Sequence, residues 1–157
     1  MSIPPSPRPL SRPLLEAVLA DRLSDRFVCE LVWTRLGYGP DPMDSAAPWR
    51  AGPATPAAWS EPFPEAPEVI ASRPASVRLT RSIPAEHKQL LKQQLGFSGY
   101  RIGELYPRRT RRATAVNWLL ADLAVRGEGL PEMGPLPPLL ALPANPLAGH
   151  PGDPPVG

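Results

Sequence analysis

The chain has 157 residues, 42% hydrophobic and 20% charged, with a formal net charge of +2. That suffices for one domain with a core and leaves little room for a second. Proline, at 25 residues, is about three times its usual share. The lone Cys29 excludes an internal disulfide or a cysteine metal cluster, and no run approaches the ~20 apolar residues of a membrane span.

Residues 1–10, with prolines at 4, 5, 7 and 9, lack the apolar run of a secretory leader and read as a disordered arm. A soluble, cytoplasmic protein in a reducing compartment is expected. Ser11 caps a first helix through Leu14, Leu15, Val18 and Leu19. Ser24 caps a second, with Asp25 in its first turn and Gly37 as its stop. So short a connection makes the two an αα-hairpin.

From residue 38 to 72, eight prolines forbid a long helix or a central strand. Trp49, Trp59 and Phe63 punctuate this loop and should anchor it to a neighbouring surface. "ASVRLTRS" alternates and predicts a strand. "SIPAEHKQLLKQQLG" predicts a helix closed by Gly96, and "YRIGELY" a second strand, together a strand–helix–strand unit. Thr110 then caps a last helix, to about Arg126, with Val116, Leu119, Leu120 and Leu123 inward. Residues 127–157 carry the density of proline and glycine of a disordered tail with polyproline character. Pro135 and Pro138 have PxxP spacing, which a solvated spacer explains as well. The expected fold is α+β and α-rich: one domain over 11–126, between disordered termini.

The phrases "VWTRLGY", "SRPASVRLTRSIPAEHKQLLKQQLGF" and "GYRIGELYPRRTRRATAVNWLL" resemble the domain of unknown function 1823 family of cyanobacteria and plastid-bearing plants. The resemblance covers most of Leu14 to Leu123, loosely over 38–67, and not the tail. It implies a protein of oxygenic phototrophs, with a role linked to photosynthetic physiology, and carries no established activity.

Charge is unevenly placed. From Ser72 to Arg126, eleven basic residues face only Glu86, Glu104 and Asp122, a net +8, while the flanking segments each carry −3. Arg108, Arg109, Arg111 and Arg112 crowd the start of the last helix. An exposed cation there is disfavoured by about 0.3–1 kcal/mol, and a bound anion reverses the sign. Three readings stay open: an external anion, internal pairing with Asp21, Asp25, Glu30 or the loop acids Glu61, Glu65 and Glu68, or a solvated cluster.

With an external anion, the binding set is Arg108, Arg109, Arg111 and Arg112 with Arg78, Arg81 and Arg101. The expected function is then a non-catalytic binding or assembly factor for an acidic protein surface. The alternative is RNA or DNA binding by the same face, with Phe97, Tyr100, Tyr106 and Trp118 as nearby aromatics. Gly96–Gly99 has the GxxG spacing of a nucleotide-clamping loop, but a helix stop and a turn explain both glycines.

No catalytic residue, metal ligand or cofactor is expected. His87 reads as exposed, His150 lies in the tail, Cys29 reads as a buried thiol, and Glu104 as an orienter of Arg108 or Arg109.

Overall fold

A computed structural model describes residues 7–157; residues 1–6 of the arm lie outside the described part. The rest of the arm is docked, since Leu10 is buried in the core and Arg8 pairs with Glu30 at 3.1 Å. The architecture is α+β and α-rich. Helices α1 (Arg12–Leu19) and α2 (Asp25–Leu36) follow one another across residues 20–24; the expected hairpin is not a packed pair, since each helix lies chiefly against the last helix rather than on the other. Ser11 accepts from the Leu14 amide and Ser24 from the Phe27 amide, and Gly37 ends α2 in the left-handed conformation.

Helix α6 (Pro107–Val125) lies at the centre, against α1, α2, α4 (Arg73–Ser82) and α5 (Leu90–Leu95). Its residues Ala115 to Ala121 are buried without a break, as befits a helix covered on every side. Trp118 is core, its indole donating to Ser82 Oγ at 3.1 Å.

The proline-rich loop is ordered by its aromatics, as expected. Trp33 and Trp49 meet at 5.5 Å and Trp59 and Phe63 at 6.0 Å. Tyr38 Oη donates to Phe63 O at 2.7 Å, and Trp33 Nε1 to Pro67 O at 2.6 Å. Two-residue strands β1 (Tyr38–Gly39) and β2 (Arg50–Ala51) pair antiparallel there, and α3 (Ala57–Ser60) carries Trp59 inward.

The strand–helix–strand unit is overturned. "ASVRLTRS" is helix α4, capped by Ser72 with a proline in the first turn. The alternation of Val77 and Leu79 is local; the stripe that wins is Ala75, Leu79 and Ile83, spaced by four and all buried. "YRIGELY" forms a 3-10 turn over Ile102–Glu104, with Ile102 95% exposed rather than sharing a face with Tyr100.

The expected middle helix is split into a 3-10 turn (Ala85–His87) and α5. Asn117 of α6 fills the break: its Oδ1 accepts from Leu91 N at 2.8 Å and its Nδ2 donates to His87 O at 3.1 Å. Gly96 closes α5 as foreseen. Tyr106, not Thr110, caps α6, because Pro107 takes the first helical position.

The tail is the other correction. Residues 127–157 run extended over the helices and are held by specific contacts. Arg12 N donates to Pro131 O at 2.9 Å, Leu140 N to Arg22 O at 2.9 Å, and Gly157 N to Ala71 O at 2.8 Å. Proline content forbade helix and strand, but it did not forbid an ordered strap.

Candidate functional site

The arginine cluster is assembled by two helix ends. Helix α1 stops in a Schellman motif: Arg22 N donates to Ala17 O and Asp21 N to Val18 O. The left-handed position, usual for glycine, holds Asp21 at φ 61°, the one non-glycine with positive φ among the described residues. This places the Asp21 carboxylate, one turn of chain before Asp25 at the start of α2, against the first turns of α6.

Both carboxylates are consumed there. Arg108 grips Asp21 with both terminal nitrogens, at 2.6 and 2.9 Å, and Asp25 Oδ2 with Nε at 2.8 Å. Arg112 donates to Asp25 Oδ1 at 2.7 Å and to the carbonyls of Leu23 at 2.7 Å and Val18 at 3.0 Å. Arg109 adds a 3.2 Å bond to Asp21 and one to Glu104 O. Arg111 donates to Ile70 O at 2.9 Å.

Burial alone would raise the Asp21 carboxyl, but the Arg108 hydrogen bonds and the charges of Arg112, Arg108 and Arg109 outweigh it and hold it at about 2. Arg108, despite its burial, is pushed above its ordinary range by the same bonds to Asp21 and Asp25.

The expectation that Arg108 and Arg112 form an external anion receptor is therefore corrected. Both are fully buried, with their charge answered from within the chain. Burying a guanidinium without a partner costs several kcal/mol, so two of the nearest acids were drawn in. Arg109 and Arg111 are half-buried and committed to internal acceptors as well. Glu30 and Glu65 pair instead with Arg8, Arg26 and Arg50, and Glu104 contributes only its carbonyl.

The rest of the basic half behaves differently. Arg73, Arg78 and Arg81 of α4, Lys88 and Lys92 around α5, and Arg101 are exposed. Among the described residues no carboxylate lies within ion-pair distance of any of them. Their only near acceptors among the described residues are backbone carbonyls: Ala58 O for Arg78 at 3.1 Å and Thr80 O for Lys88 at 3.4 Å. Two concavities flank α4. One, of about 570 Å³, includes Thr80, Ile83, Lys88, Lys92, Phe97 and Thr110; the other, of about 360 Å³, includes Trp59, Pro74, Val77, Arg78 and Arg81. Arg101 is not part of either.

Sequence reasoning missed the contribution of the tail to the arginine cluster. His150-Pro151-Gly152-Asp153 is a turn, with Asp153 N donating to His150 O at 3.0 Å, Pro in its second position and Gly152 at φ 86° in its third. His150 is buried, and its Nε2 lies 3.0 Å from Asp21 O and 3.1 Å from Asp21 Oδ1. A carbonyl only accepts, so Nε2 carries the proton. Asp153 Oδ2 accepts from Asp25 N at 3.1 Å, and Arg108 donates to Pro146 O at 3.1 Å. The "HPGD" turn signal was legible; where it docks was not.

Cys29 is buried, its thiol raised by desolvation and by the charge of Glu68, whose Oε2 is 3.9 Å away; burial in turn raises Glu68. That arrangement suppresses thiolate chemistry. No cluster of three potential metal ligands occurs among the described residues, and none of their helices is long and apolar enough to cross a membrane.

A family model described as a domain of unknown function, DUF1823, matches residues 9–124. Among curated proteins none matches. A solved structure, a solution NMR structure of a protein 48% identical to this one, has its whole chain covered by 82% of this chain, with a TM-score of 0.66.

Proposed function

Starting from a chain that belongs to the DUF1823 family, we propose a non-catalytic binding or assembly factor that recognises an acidic protein surface through the face of α4 and α5. The observation that carries this reading is the division of the arginines. Arg108 and Arg112 are neutralised inside, whereas Arg78, Arg81 and Arg101, with Arg73, Lys88 and Lys92, stand exposed without a carboxylate of their own among the described residues. Six exposed cations against Glu86 over residues 73–101 steer an oppositely charged partner, and the concavities beside α4 offer apolar surface for affinity. A cytoplasmic setting belongs to the same reading.

A protein partner is favoured over nucleic acid by the aromatics. Single-strand binders expose ring faces for bases to stack on. Here Phe97 and Tyr100 pack edge to face at 4.9 Å, Tyr100 Oη donates to Leu19 O at 2.9 Å, and Trp118 is buried. Those rings are engaged within the fold.

The test is capture of partners from native lysate by the wild type and by the triple variant Arg78→Ala, Arg81→Ala, Arg101→Ala, each with and without nuclease. The expected result is a protein companion that survives nuclease and is lost with the triple variant. A companion released by nuclease, or retained by the variant, would overturn the reading.

A further inference from the structure

The strap formed by residues 127–157 ends in a compact clasp. Asn145 folds the chain back, its Oδ1 accepting from Leu147 N and its carbonyl from Gly149 N at 3.1 Å each. The His150–Asp153 turn follows directly. The clasp meets five polar groups of the domain. Asp153 takes the amides of Asp25 at 3.1 Å and Arg26 at 3.4 Å, His150 takes the carbonyl and carboxylate of Asp21, and Pro146 O takes Arg108. With Ser24 holding the Phe27 amide, the first free N–H groups of α2 are all satisfied, two of them only by the strap.

We infer that this corner of α1, α2 and α6 is a peptide-docking site, filled in cis by residues 145–153, from which an acidic peptide segment of a partner protein displaces the strap. The α4–α5 face plays no part in it, so the two readings stand or fall separately.

Three observations support a removable occupant rather than a fixed part of the fold. The family match ends at residue 124, before the strap begins, and the whole of the solved relative is accounted for by 82% of this chain. The strap is attached chiefly by directed polar bonds, while its Leu136, Leu139, Leu142 and Leu147 are exposed, so little apolar burial retains it. The groups beneath form a recognition set of their own: two helix-start amides for a carboxylate, a guanidinium N–H for a carbonyl, and a carboxylate for an imidazole. The cis segment thus reads out the chemistry of the ligand, a turn-forming peptide with an acid.

The clasp can be opened without substituting any receptor residue. Gly149 sits at φ 82°, and a Cβ there would fall 2.7 Å from Arg108 Nε, which Asp25 holds in place, and 2.9 Å from Asp153 Oδ2. Gly149→Ala in the full chain therefore lifts the clasp, and Gly129→Ala, with nothing within 4 Å of the added carbon, is the control. Amide exchange is expected to rise at least tenfold at Asp25 and Arg26 while Leu31 and Val32 keep their protection.

A synthetic peptide of residues 143–157 should then bind the Gly149→Ala protein at least tenfold more tightly than the wild type. The same peptide with Asp153→Asn should lose about tenfold. Equal binding to both proteins, no binding to the opened one, or loss of core protection in Gly149→Ala would each overturn the inference.

Discussion

Asp21 and Asp25 settle what three of the four arginines do, and each makes a measurable difference. Arg112→Ala leaves the buried Asp25 carboxylate one donor short and should cost about 3–5 kcal/mol, the usual penalty for halving a buried pair. Chemical denaturation checks it, and a loss under 1 kcal/mol would mean that water replaces the guanidinium. Asp21 links stability to pH. Its carboxyl titrates at about 2 in the folded chain, below its ordinary value near 4 when unfolded. The stabilisation is therefore complete above pH 4 and is lost as pH falls through about 2. At neutral pH it is worth about 2 kcal/mol. The stability gap between the wild type and Asp21→Asn should accordingly be widest near pH 6 and narrow steadily below pH 4. Asparagine tolerates the left-handed backbone at this position, so the comparison isolates charge. Both aspartates were among the acids weighed from the sequence. Choosing them over Glu30 or Glu68 needs contacts across more than eighty residues, which no spacing rule encodes.

At the level of elements, most caps and stops were legible, Thr110 excepted, and short alternations were not. Ser11, Ser24, Gly37 and Gly96 act where the residue types said they would, because capping is a local bargain between one side chain and nearby backbone. "ASVRLTRS" was misread because the five alternating residues 76–80 fit a strand and one helical turn and a half alike; only the longer Ala75–Leu79–Ile83 spacing distinguishes them. The broken helix before Gly96 has its cause on another element. Asn117 satisfies the two backbone groups exposed by the break, so Asn117→Ala should cost about 1–3 kcal/mol. Faster exchange at the Leu91 amide should accompany it, and an unchanged Leu91 would show that α5 holds its own start.

On the scale of the molecule, an α-rich fold was readable from patterning, and the strap was not, since proline density speaks to local conformation and not to docking. Removing residues 135–157 deletes the Asp153 cap, worth about 1 kcal/mol, and should lower Tm by about 2–4 °C with helix content intact. Thermal circular dichroism reads both, and collapse of the helical signal would mean that the strap is needed to fold. Because the strap lies along the surface from α6 back to Ala71, the molecule should respond to tension from its two ends in sequence. A force applied at Gly157 would first peel this ribbon, adding roughly 100 Å of contour length at low load, before α6 and the interior feel any strain. The protein thus carries its own mechanical slack, taken up in a single early step on a force–extension trace.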